Sequence, residues 1–157
     1  MINAAEIIDS LVGLLRDIPE LVALMGGEQG RIFAYHDLYP KRISIDRARY
    51  EMPAPGIMVA YQGTSPGSFG RSEVWKHELS ITLRAGEEQD GEAPIGYYQL
   101  FRLITKGVPA SLGLALGLAT VHASCQPMDT PALRRQIDAA GVDYFEIAMS
   151  FTEIGDD

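Results

Sequence analysis

The chain has 157 residues, 46% of them hydrophobic, which suits one domain with a real core and leaves little for a second. Thirteen basic against twenty-one acidic residues give a formal charge of −8, so a general electrostatic grip on nucleic acid is not expected. The single cysteine, Cys125, excludes an internal disulfide and any cysteine-based zinc cluster within one chain.

At the N-terminus there is no basic region followed by an apolar run, so a secretory signal is not expected. Asn3 followed by Glu6 has the form of a capping box and predicts a helix start. Ile7, Ile8, Leu11, Leu14, Leu15 and Ile18 then recur at helical spacing and form one apolar stripe, which predicts a helix facing the core. Pro19 opens a second short helix carrying Leu21, Val22 and Leu24, and Gly26 and Gly27 end it.

Residues 31–35 predict a short strand, and the polar, proline-containing stretch 36–55 reads as a long excursion. Residues 56–62 and 72–84 predict a strand pair, the second with Trp75, His77, Leu79, Ile81 and Leu83 on one face. The glycine- and serine-rich connection 63–71 is expected to protrude as a mobile loop. Four acidic residues, Glu87, Glu88, Asp90 and Glu92, lie in a polar loop over 86–94. A helix is predicted over 95–106, with Tyr97, Leu100, Phe101 and Ile104 on one side.

The most apolar stretch, 108–121, is short for a membrane span and interrupted by Pro109, Gly113 and Gly117, so it reads as buried or covered by a partner. Within it, 107–118 fits either a glycine-interrupted helix or an apolar loop. Residues 121–126 predict a strand, and 134–143 lead through a turn at Ala140 and Gly141 to the last one. There Phe145, Ile147, Met149 and Phe151 alternate with Glu146, Ala148, Ser150 and Thr152, the period of a strand with one apolar face. The expectation is a single α+β domain over 1–157, with a small mixed or mostly antiparallel sheet, an N-terminal amphipathic helix and a core strand at the C-terminal end.

Catalytic patterns fail on inspection. Gly63-Thr64-Ser65-Pro66-Gly67 matches a nucleophile elbow by letter, but the residue after the serine must donate a backbone amide and Pro66 has none. Gly67 to Ser72 lacks the lysine and the glycine spacing of a phosphate loop. His36, His77 and His122 stand far apart without metal-ligand spacing, and His122 and Cys125 point to opposite faces of a strand. A structural role is expected for each. Lys41, Arg42, Arg47 and Arg49, with Tyr35, Tyr39 and Tyr50, have the composition of a protein interface more than of a nucleic-acid patch, since Asp37, Asp46 and Glu51 dilute their charge. No nucleophile, base or metal set supports a small hydrolase or transferase, and a monomeric ligand-binding module would need a pocket that sequence does not display.

The order of parts resembles the tail terminator proteins of tailed bacteriophages, also described as tail completion or head-tail joining proteins. It comprises an amphipathic helical entry, an excursion, a Pro-Gly-Ile-Met-Val strand, a long connection, the strand from Trp75 to Arg84, a packed helix and a final Asp-Tyr-Phe-Glu-Ile strand. The resemblance covers nearly the whole chain and rests on element order rather than on a chemical motif. It implies a non-enzymatic virion protein without cofactor or metal, made in the bacterial host cytoplasm and placed at the tail-neck junction. There it would form a homohexameric ring that caps the tail tube, ends tube growth and joins the head connector or head-closure protein, with DNA passing but not specifically bound and no membrane contact. Neighbouring neck and tube components have similar subunits and stand as the alternative. The assembly contacts it implies are Tyr39, Arg42, Arg47 and Arg49 in the excursion and Thr64, Ser68, Phe69 and Arg71 in the connection; the acidic loop 86–94 reads as a solvated turn, with the wall of a DNA-passing lumen as its second reading.

Overall fold

The structure, a computed structural model, describes residues 3–38, 43–53, 55–69, 72–84, 102–104, 106–116, 122–126, 136–137 and 143–154. The first helix, α1 (Ala4–Arg16), begins where Asn3 Oδ1 accepts the Ala5 amide at 2.8 Å, satisfying one of the amides a helix start leaves open. Its stripe of Ile7, Ile8, Leu11 and Leu15 is fully buried, with Val12 beside it. Pro19 opens α2 (Pro19–Leu24), and Gly26 and Gly27 end it at φ 71° and 80°, a left-handed backbone that a Cβ would strain. Arg16 Nε donates to the Ile32 carbonyl at 2.9 Å, pinning the end of α1 to strand β1 (Ile32–Ala34).

The excursion is not an open loop. Tyr35, expected at the end of β1, starts a short helix, α3 (Tyr35–Leu38), and Ser44 caps another, α4 (Ile45–Glu51), accepting the Arg47 amide at 3.1 Å. Tyr35 donates its hydroxyl to the Ile43 carbonyl and ties the two helices together. Ala48 and Met52 are buried against Phe33 and Met58, a second small core on the far face of the sheet. The polar composition of 36–55 conceals this because only a few of its residues are apolar, and those sit one helical turn apart.

The connection 63–71 is likewise corrected. Strand β2 (Gly56–Phe69) runs straight through it and pairs antiparallel with β3 (Ser72–Arg84), from Gly56 opposite Arg84 to Phe69 opposite Ser72. A one-residue irregularity between Tyr61 and Gly63 absorbs the change of register. Thr64, Ser65, Pro66 and Gly67 are exposed, so this arm has no apolar alternation by which a sequence pattern would mark it as strand.

Val108–Ala115 is helical and is here α5, its N-cap Gly107 at φ 81°; of the two readings of 107–118, the helix holds. Residues 102–104 are also helical, with Ile104 buried; the rest of the predicted 95–106 helix and the acidic loop lie outside the described residues. Strands β4 (His122–Gln126), β5 (Gln136–Ile137) and β6 (Asp143–Ile154) complete a mixed sheet in the order β1-β2-β3-β6-β4, with β5 paired to the first two residues of β6. β1 is parallel to β2 and all other pairings are antiparallel. Ile57, Val59, Leu79, Ile81, Leu83, Ile147 and Met149 form the face that buries α1, α2 and α5, an α+β fold with its main core between helices and sheet. Each such fully buried side chain contributes about 1.5–3 kcal/mol of transfer free energy.

Candidate functional site

Two polar features interrupt the apolar packing of the sheet. On the helix-covered face, His77 is fully buried in the middle of β3. Its Nδ1 lies 2.7 Å from the Tyr61 hydroxyl of β2 and its Nε2 2.9 Å from Glu153 Oε2 of β6. A neutral ring protonated on Nε2 donates to the carboxylate and accepts the tyrosine hydroxyl at Nδ1. The order hydroxyl, imidazole, carboxylate is that of an activated nucleophile with its base and orienting acid. General acid–base work, however, requires a substrate atom within hydrogen-bond reach. Here the imidazole is sealed and both ring nitrogens are engaged. The three side chains come from three neighbouring strands, so the triad is a polar clamp holding β2, β3 and β6 in one register.

On the opposite face, Arg49 of α4 reaches across the sheet. Its Nη2 lies 2.9 Å from Glu146 Oε2 and its Nε donates to Thr82 Oγ1 at 3.2 Å. Thr82 and Glu146 are themselves cross-strand partners. Arg49, expected among the assembly contacts, is only 8% exposed, and within the subunit its guanidinium is committed to Glu146 and Thr82. Beyond this pair the face opens into a polar depression of about 270 Å³ whose lining includes Gln62, Lys76, Glu78, Ser80 and Ser150. Gln62 donates to Ser80 Oγ at 2.8 Å, and Lys76 stands 3.7 Å from Glu78, so much of its polarity is internally matched.

Of the other expected contacts, Arg47 is exposed and pairs with Glu51 at 3.1 Å, a surface pair of small energetic weight. Thr64 is exposed on the outer arm of β2, and Ser68 and Phe69 end that strand opposite Glu73 and Ser72. Tyr39, Arg42 and Arg71 lie outside the described residues. The structure therefore separates the two groups: Arg47 and Arg49 belong to a helix packed on the sheet, and Thr64, Ser68 and Phe69 to the end of a long hairpin.

Tyr61 and Glu153 were not singled out by the sequence, although one signal was present. Glu153 has the parity of Ile147, Met149 and Phe151 in the last strand, a charged residue in a core-facing position that requires a partner. Among the described residues no group of three histidine, cysteine or acidic side chains is placed to hold a metal ion, and no helix is long and apolar enough to cross a membrane. Compared with protein-family models and with curated proteins, the chain matches none.

Proposed function

We propose that this chain is a structural subunit of the tail terminator class: a ring-forming virion protein that caps a phage tail tube, stops its growth and joins it to the head connector. The observation that carries the reading is the β2–β3 hairpin. Its inner half is core, while its outer half, through Thr64, Ser65, Pro66 and Gly67, is polar, exposed and paired to β3 along its length. A paired arm is held in place before it meets a partner and loses less conformational entropy on docking than a loose loop would.

The order of elements supports the same reading. An amphipathic helix enters, a crossover carries α4 to the far face, a long hairpin follows, and a core strand sits in the sheet between β3 and β4. The buried triad supports a scaffold role over a catalytic one because its reactive groups are spent on each other. The test is tube growth: purified chain is added to the polymerising tube protein of the phage that encodes it, and tube lengths are measured by electron microscopy. Capping shortens and narrows the length distribution in proportion to the chain added. Unchanged lengths at stoichiometric excess refute the reading.

A further inference from the structure

The two edges of the sheet differ from ordinary edges in one respect: neither is defended by charge. β1 covers β2 only at Ile57, Met58 and Val59, and among the described residues no strand pairs with residues 60–69 on the side away from β3. Those residues read Ala-Tyr-Gln-Gly-Thr-Ser-Pro-Gly-Ser-Phe and include no lysine, arginine, aspartate or glutamate. Among the described residues the other edge is β4, which reads His-Ala-Ser-Cys-Gln, again without one. Exposed edges present unpaired backbone donors and acceptors, and proteins that must stay apart place charges there.

The two edges also match in level and direction. Ala60 stands in one row across the sheet with Ser80, Ala148 and Gln126; Tyr61 with Leu79, Met149 and Cys125; Thr64 with His77, Phe151 and Ala123. β4 is therefore level with residues 60–65, Gln62 being the extra residue of the irregularity between Tyr61 and Gly63, and Pro66, which has no amide to offer, bounds the stretch. β2 and β4 run in opposite directions because each neighbouring pair between them is antiparallel. The projecting β1 is level with Phe145, Glu146 and Ile147, just past the end of the β4 ladder at Ala148.

From this we infer that the uncharged edge of β2 over residues 60–65 receives β4 of a second copy of this chain, antiparallel, so that the sheet continues from subunit to subunit. A rotation about an axis along the strands brings the two edges together without axial slip. Such a head-to-tail contact closes into a ring when the rotation divides a full turn. The inference rests on the ring reading above and adds to it the surface and the partner strand.

The test uses the full chain in a Cys125→Ala background, with Thr64→Cys in one preparation and Ala123→Cys in another. Opposed residues on paired strands approach within disulfide range. Copper-phenanthroline oxidation of the mixture gives a dimer band on a non-reducing gel, and either preparation alone gives none. No band in the mixture, or an equal band in a single preparation, overturns the edge pairing. In parallel, Thr64→Lys places a charge on the edge and lowers the oligomeric fraction in light scattering at an unchanged thermal midpoint; an unchanged oligomer overturns the proposal. Closed particles of wild-type mass without the mixed cross-link remove the edge pairing and leave the ring. Cross-linked open fibres keep the pairing and remove the ring.

Discussion

Replacing Arg49 by methionine separates a folding role from an interface role. The guanidinium is 8% exposed and bridges Glu146, whose side chain is 19% exposed, and the fully buried Thr82. Removing one partner of a fully buried ion pair costs about 3–5 kcal/mol, because the other charge stays behind unmatched. Glu146 keeps some access to water, which lowers that cost, while loss of the bond to the Thr82 hydroxyl adds to it. The expected destabilisation is about 2–3 kcal/mol, roughly a 1 M fall in the urea midpoint of a chain this size. Urea unfolding of monomeric protein, followed by circular dichroism, reads it directly. Adding Glu146→Gln should return part of the loss, since the stranded charge is then gone. Arg47→Ala, which touches only an exposed pair, should move the midpoint by less than about 0.5 kcal/mol. An Arg49→Met chain that unfolds at the wild-type midpoint yet fails to assemble would refute the reasoning and return Arg49 to the interface.

Ile81 and Ile147 face each other across β3 and β6 at 0% and 2% exposure, so each alanine replacement should cost about 2–5 kcal/mol by urea unfolding, and the pair should be non-additive. At Gly56 an added Cβ would stand 2.2 Å from the Pro53 carbonyl oxygen, so Gly56→Ala should lower stability by about 1–3 kcal/mol through forced backbone shifts, checked by thermal melting. Tyr61→Phe and Glu153→Leu each remove one bond to His77, and a double-mutant cycle should give a coupling of about 0.5–3 kcal/mol; strict additivity would mean the triad does not act as a unit. Lysine at Glu87, Glu88, Asp90 and Glu92 should slow DNA ejection from assembled particles at low salt if that loop faces the lumen; ejection unchanged across salt concentrations places it elsewhere.

Local signals made much of the architecture readable. Asn3, the stripe from Ile7 to Ile18, Pro19 and the paired glycines act within a turn or two of themselves, and the alternation in β3 and β6 needs only the period of a strand. The misses share a cause. The outer arm of β2 is paired to β3 but exposed at Thr64, Ser65, Pro66 and Gly67, so no side-chain period reports it. Likewise α4 buries Ala48 and Met52 on a face whose existence depends on Phe33 and Met58, far away in sequence. The burial of Arg49 was illegible for the same reason: its partners, Thr82 and Glu146, come from strands 33 and 97 positions further along. The His77 clamp joins residues up to 76 positions apart, and only the parity of Glu153 hinted at it.

Native mass spectrometry of the purified chain, at concentrations spanning the assembly range, tests the central claim most directly. The account predicts one dominant closed species of six copies of the 17.1 kDa chain, with no ladder of larger masses. A monomer at every concentration, or an open series of sizes without a preferred one, would contradict it.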